Sequence, residues 1–137
     1  MAAMELKTAE VPNPHFARIG GAPVVRLLVE SFYRRMDTLP EAAGIRAMHA
    51  EDLTEIKFVL QLYLVEWLGG PKDYSQRRGP PRLRARHSMF PIGVAERDAW
   101  MLCMRGALDE VVADAELRNQ LENAFLRTAN AIVNTRP

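Results

Sequence analysis

Three kinds of residue in the second half of the chain could do chemistry together: a histidine, the arginines before it and a tryptophan after it. His87 ends a short segment that begins at Pro80-Pro81, and Trp100 lies in the next predicted helix. The apolar side chains beside the histidine suit a flat hydrophobic ring; they are Leu83, Met89, Phe90 and Ile92. This pattern favours an imidazole that ligates a metal next to an aromatic-lined pocket.

Basic residues crowd the stretch before His87, although the whole chain is nearly neutral, with 18 basic and 17 acidic residues. The cluster consists of Lys72, Arg77, Arg78, Arg82, Arg84 and Arg86. Such a cluster is either a solvated loop or a site for a small dianion such as a pair of carboxylates. The two propionates of haem are such a pair, so the arginines and His87 together favour an iron porphyrin.

Other chemistries lack the residues that they need. The histidines are not paired at helical spacing and Cys103 is the single cysteine, so no zinc pattern is present. The sequence contains neither a glycine-rich phosphate loop nor a serine nucleophile elbow. The balanced charge argues against nucleic-acid binding. We expect Cys103 to be an inert core thiol in a reducing, cytoplasmic protein, and no apolar run approaches the roughly 18 residues that span a bilayer.

Helical periodicity supplies the elements that must position these residues. Apolar side chains recur at three- and four-residue spacing in the segments 25–36, 53–67, 94–112 and 117–132. Glu51 or Asp52 can cap the second segment, which Gly69-Gly70-Pro71 ends, and 72–81 is predicted to be a polar loop. Strand signals are weak. The 137 residues therefore predict an all-α fold, with 1–14 as an N-terminal extension and 15–137 as one domain.

Four aromatic side chains with polar tips lie on these helices. Tyr63 and Trp67 fit ordinary core packing. Tyr33 and Trp100 could instead aim an O–H and an N–H donor at a bound ligand.

The order of the motifs resembles that of the group II truncated haemoglobins from about Phe16 to Val133. The shared motifs are Gly20-Gly21, Phe32-Tyr33, Glu51-Asp52-Leu53-Thr54, Tyr63 to Pro71, Tyr74-Ser75, Arg78 to His87, and Glu96-Arg97-Asp98-Ala99-Trp100. The resemblance implies a truncated globin, which is a two-over-two α-helical sandwich around haem b.

The resemblance also implies roles for single residues. His87 is expected to be the proximal iron ligand. Tyr33, His49 and Trp100 are expected to form hydrogen bonds with the ligand, with an apolar Ile56 beside them; Met48 is the alternative to His49. The residues expected to bind the cofactor are Phe32, Leu60, Leu83, Phe90, Ile92, Trp100 and Met104, with Tyr74 and Arg86 facing the propionates.

Donors in an apolar pocket stabilise negative charge on the outer atom of a dioxygen ligand. Each hydrogen bond to a charged partner is worth roughly 1.5–3 kcal/mol, so we expect the protein to release bound dioxygen slowly. The resemblance thus implies a protein that binds dioxygen, carbon monoxide and nitric oxide for oxygen, nitric oxide or peroxide chemistry. The alternative is a dedicated enzyme, either a nitric oxide dioxygenase or a peroxidase-like protein, served by an unidentified reductase. A third interpretation is a helical interaction module without haem. We expect a monomer or homodimer with no nucleic-acid or membrane partner.

Overall fold

The computed structural model describes residues 15–135, and every regular element in that range is helical. The α-helices are α1 His15–Ile19, α2 Ala22–Thr38, α3 Ala43–Ala47, α4 Thr54–Trp67, α5 Asp73–Arg78, α6 Leu83–Arg86, α7 Val94–Val111 and α8 Ala115–Ile132, with a 3₁₀ turn at Pro40–Ala42. The all-α prediction is confirmed. The predicted extension 1–14 lies outside the described residues, so the domain bounds stay a prediction.

The four long helices pair into two layers. Helix α2 packs against α4 in one layer, α7 packs against α8 in the other, and α2 and α7 form the main contact between the layers. The core lies where the layers meet, and its fully buried large side chains include Leu28, Phe32, Met36, Leu64, Met101, Met104, Leu108, Leu117 and Leu121. Burying one such side chain contributes about 1.5–3 kcal/mol. No helix within residues 15–135 is long and apolar enough to cross a membrane.

An ionic cluster ties the two layers together at the surface. Glu110 on α7 accepts hydrogen bonds from Ser31 Oγ at 2.7 Å, Arg34 Nη2 at 2.7 Å and Arg35 Nη2 at 3.0 Å. These bonds, from Ser31 and Arg35 above all, lower the pKa of Glu110 to about 2. A Cβ atom at Gly106 would lie 2.6 Å from Arg35 Nη1, so this glycine lets the arginine cross α7.

Helix α4 ends at the predicted glycines, but its N-cap is Leu53 rather than the predicted Glu51 or Asp52, and the Asp52 side chain bonds to the first residue of the helix instead. Asp52 Oδ1 accepts a hydrogen bond from the Thr54 N–H at 2.9 Å, and the bonds with Thr54 lower the pKa of Asp52. At the other end Gly69 has a φ of 104°, a left-handed conformation that glycine adopts without strain. A Cβ atom at Gly70 would lie 2.9 Å from Phe16 Cδ1 and from Val65 Cγ1. The two glycines therefore let the chain turn back tightly against α1 and α4.

The prediction of a loop over 72–81 is wrong in part, because α5 occupies most of it. The Glu66 carboxylate explains the helix: it accepts hydrogen bonds from the Ser75 N–H at 2.9 Å and from the Ser75 hydroxyl. An N–H in the first turn of a helix has no partner within the helix, and here an acid from α4 supplies one. Gly79 then ends α5 with a φ of 78°.

Cys103 lies in the core with no exposed surface, as predicted, and burial raises the pKa of its thiol. A thiol in that setting is protonated and weakly reactive.

Candidate functional site

The fold brings the three residues that are predicted to form hydrogen bonds with a ligand to one place. Tyr33 lies on α2, His49 precedes α4 and Trp100 lies on α7. The Tyr33 ring meets the His49 ring edge-on with centroids 5.8 Å apart, and the Phe32 ring lies 4.9 Å from Tyr33 and 5.1 Å from Trp100. We call these four residues the distal cluster.

Tyr33 is a permanent hydrogen-bond donor within the distal cluster. It is 3% exposed, and burial raises the pKa of its hydroxyl well above the ordinary value. The hydroxyl therefore remains protonated at any physiological pH.

His49 has a fixed tautomer, which alters its predicted role. Its Nδ1 atom lies 2.8 Å from the carbonyl oxygen of Ile45. A carbonyl oxygen can only accept, so Nδ1 carries the proton and Nε2 of the neutral ring is an acceptor. Neutral His49 therefore cannot donate a hydrogen bond from Nε2, and only its protonated form can.

Trp100 is half-buried between the two layers. Its ring centroid lies 5.1 Å from that of Phe32 and 5.6 Å from that of Phe125. The Trp67 ring stacks on the Phe125 ring with centroids 4.5 Å apart, in agreement with the core packing expected of Trp67. The indole N–H of Trp100 is a donor that does not titrate.

His87 follows α6, on a different part of the chain from the distal cluster. Its Nδ1 atom lies 2.7 Å from the carbonyl oxygen of Leu83. The proton therefore resides on Nδ1, and the lone pair of Nε2 remains for a metal. Histidines that ligate metals usually donate their other N–H to a carbonyl or carboxylate in this way, which fixes the ring and raises its basicity.

The apolar residues predicted to line the cofactor or its ligand fall into two groups. Phe32 and Met104 are buried in the core, and Ile56, Leu60 and Trp100 pack against it. Leu83, Phe90 and Ile92 lie outside that core cluster, and Phe90 is 40% exposed. The distal wall is thus part of the core, whereas the segment that carries His87 is not.

Tyr74 and Arg86 brace the loop before His87. Tyr74 is buried, meets Tyr63 edge-on at 5.7 Å and lies under the Arg86 guanidinium, also at 5.7 Å. Arg86 donates from Nε to the Pro81 carbonyl at 2.7 Å and from Nη2 to the Arg78 carbonyl at 2.9 Å. These bonds occupy much of the guanidinium, so contact with a propionate stays a prediction.

Comparisons with known proteins show the family to which the chain belongs. The model of the bacterial-like globin family matches residues 15–134. The group 2 truncated hemoglobin YjbI of Bacillus subtilis is 37% identical over 114 residues, which cover 83% of this chain and 84% of that protein. The chain is a group II truncated haemoglobin.

Two solved structures show how closely the fold of this truncated haemoglobin follows its relatives. The group II 2-on-2 hemoglobin of Agrobacterium tumefaciens has 45% identity and a TM-score of 0.86, over 88% of this chain and 94% of that one. A cold-adapted truncated hemoglobin of the Antarctic bacterium Pseudoalteromonas haloplanktis has 34% identity and a TM-score of 0.87, over 88% and 98%. The predicted two-over-two truncated globin fold is confirmed, and membership of the family implies a haem and small gas ligands such as dioxygen.

The side chains of this truncated haemoglobin fit that cofactor. The available imidazole nitrogen, the apolar lining and the two non-titrating donors are the groups that a ligand-binding haem needs. No group of three or more histidine, cysteine or acidic side chains that could hold another metal occurs among residues 15–135.

One residue near His87 of this truncated haemoglobin was not predicted from the sequence. Asn134 follows α8, and its amide group bonds to the backbone of residues 87, 90 and 92. Nothing in the sequence around Asn134 marks it, because its partners are distant in the chain.

Proposed function

We propose that this protein binds haem b through Nε2 of His87 and holds dioxygen, carbon monoxide or nitric oxide within the distal cluster. The haem supplies the iron to which such a ligand bonds. The observation that carries the proposal is the 2.7 Å contact between His87 Nδ1 and the Leu83 carbonyl, which leaves the metal-binding nitrogen available.

The distal cluster supplies two dependable donors to a ligand. The Tyr33 hydroxyl stays protonated because it is buried, and the Trp100 indole does not titrate. Hydrogen bonds to a partially charged ligand are worth roughly 1.5–3 kcal/mol each, so each slows release by about tenfold to a hundredfold. The predicted contribution of His49 is smaller, since its neutral ring accepts at Nε2.

Slow release favours chemistry on a retained ligand over delivery of dioxygen. The two non-titrating donors therefore also favour the second candidate, a haem enzyme with nitric oxide dioxygenase or peroxidase-like activity. Such an enzyme needs a reductant from a separate protein, an unidentified reductase. Sustained consumption of nitric oxide or peroxide with a supplied reductant would distinguish the enzyme from a reversible binder.

Absorption spectra test the binding proposal. The purified protein should show a Soret band that shifts when carbon monoxide is added to the reduced form, and its haem should extract into acidified butanone, as non-covalent haem b does. His87→Gly should change the ferrous spectrum, and added imidazole should restore it.

His49→Gly is the matched control, because His49 also bonds through Nδ1 to the carbonyl four residues before it. It should keep the iron–histidine spectrum. Loss of that spectrum in His49→Gly, with retention in His87→Gly, would reassign the ligand.

The fully buried Cys103 also suits a reducing, cytoplasmic setting. Sedimentation velocity will distinguish between the two expected states, a monomer and a homodimer.

A further inference from the structure

The segment that follows α8 lies against the backbone around His87. Asn134 Nδ2 donates to the carbonyl oxygens of His87 at 3.2 Å and Phe90 at 2.9 Å, and Asn134 Oδ1 accepts from the Ile92 N–H at 2.9 Å. The backbone N–H of Asn134 also donates to the Ile92 carbonyl at 2.8 Å. One residue therefore bonds to both ends of the turn over 87–92.

Packing alone does little to hold this turn. Helix α6 has four residues, and its principal contact with another helix is with α8. Met89 is 85% exposed and Phe90 is 40% exposed, and neither belongs to the core. The position of the His87 backbone therefore depends on hydrogen bonds.

A second contact brings the same segment close to the turn. The Thr135 N–H donates to the Ile92 carbonyl at 3.1 Å. A Cβ atom at Gly93 would lie 2.7 Å from Thr135 Oγ1, so a side chain at this position would force Thr135 to shift. The close fit extends the contact from Asn134 to the start of α7.

We propose that Asn134 is a positioning residue that orients the His87 imidazole toward the haem iron. The proposal rests on the assignment of His87 as the iron ligand. Asn134 fixes the carbonyl end of His87, while the Leu83 carbonyl fixes Nδ1 of its ring. With both ends held, the His87 side chain has little freedom to change its orientation.

Two substitutions and one control test the role. Asn134→Ala removes all three side-chain bonds. Asn134→Asp keeps the size of the side chain and the acceptor for the Ile92 N–H, but places an oxygen against the carbonyls of His87 and Phe90. Asn130→Ala is the control, because Asn130 lies on the same end of α8 and bonds to Arg97 Nη1 at 2.9 Å, not to the turn.

The main readout is the iron–imidazole stretching band in the resonance Raman spectrum of the ferrous, ligand-free protein. Both Asn134 variants should shift or broaden this band and speed transfer of haem to an acceptor globin about tenfold or more, because each loses at least two hydrogen bonds and a single one already gives about tenfold. Asn130→Ala should match the wild type. Circular dichroism will show whether each variant keeps its helices, and Asn134→Asp decides the case if Asn134→Ala does not fold.

The outcomes separate the two proposals. A band that His87→Gly abolishes but that both Asn134 variants leave unchanged would overturn the positioning role alone. A wild-type band that His87→Gly leaves unchanged would overturn the assignment of His87, and the positioning role with it.

Discussion

Tyr33 and His49 meet edge to face with ring centroids 5.8 Å apart, and their side chains have opposite hydrogen-bonding character. Tyr33 is a buried hydroxyl that stays protonated, so it donates. Neutral His49 has its proton on Nδ1, held by the Ile45 carbonyl, so its Nε2 accepts. The two residues are therefore not equivalent donors, and substituting them should have different consequences.

The single substitutions Tyr33→Phe and Trp100→Phe should each speed the release of dioxygen by about tenfold to a hundredfold. Each change removes one hydrogen-bond donor to a charged ligand. Stopped-flow displacement of dioxygen by carbon monoxide measures the rate. Tyr63→Phe is the control, because Tyr63 lies against Tyr74 outside the distal cluster and burial raises its pKa to about 12. Unchanged rates in both Tyr33→Phe and Trp100→Phe would contradict the donor assignment.

Replacing His49 by leucine should leave the release of dioxygen nearly unchanged, because the neutral ring has no donor at Nε2 and none is lost. The rate is followed by the same displacement method. Clear acceleration in the variant would show that neutral His49 donates to the ligand, and hence that the other tautomer is present.

The stability of the folded protein should depend on pH because of Glu110. Its pKa is about 2 in the folded protein and 4.5 ordinarily, because Ser31 and the two arginines bond to the charged form. A lowered pKa stabilises the folded state fully above about 4.5, and that contribution falls as the pH drops toward 2. The melting temperature of Glu110→Gln should thus lie below that of the wild type near neutral pH, and the gap should close in acid.

Glu122→Gln is the control for that experiment, since Glu122 forms a single ion pair with Arg105. It should change the melting temperature little at any pH, because exposed pairs of this kind contribute about 0–1 kcal/mol. An equal loss in both variants would mean that the Glu110 cluster is no stronger than an isolated surface pair.

Replacing Gly106 by alanine should raise the free energy of unfolding by less than the gain of about 1 kcal/mol that alanine normally brings over glycine inside a helix. The added Cβ atom would lie 2.6 Å from Arg35 Nη1, so the guanidinium must shift and its bond to Glu110 is weakened. Gly44→Ala is the matched control, because no atom lies within 4 Å of the added Cβ. Urea unfolding should show a larger gain for Gly44→Ala than for Gly106→Ala; equal gains would rule out the clash.

The sequence predicts the parts of this protein that depend on local patterns. Helical spacing located the four long helices, and the motif order brought Tyr33, Trp100 and His87 into one hypothesis. Helix α5 was missed because its first turn is completed by Glu66, an acid on another helix. The tautomer of His49 and the bonds of Asn134 also depend on atoms brought together only by folding, so no local pattern reveals them.

The two sides of the candidate pocket differ in how they are built. The distal wall belongs to the hydrophobic core, whereas the His87 segment is held chiefly by hydrogen bonds from the loop and from Asn134. In the apoprotein, the distal wall should therefore stay rigid, whereas the segment that carries His87 should move more readily. Amide hydrogen exchange should then be slow in α2 and α7 whether or not haem is present. The binding of haem should slow the exchange mainly between residues 83 and 93.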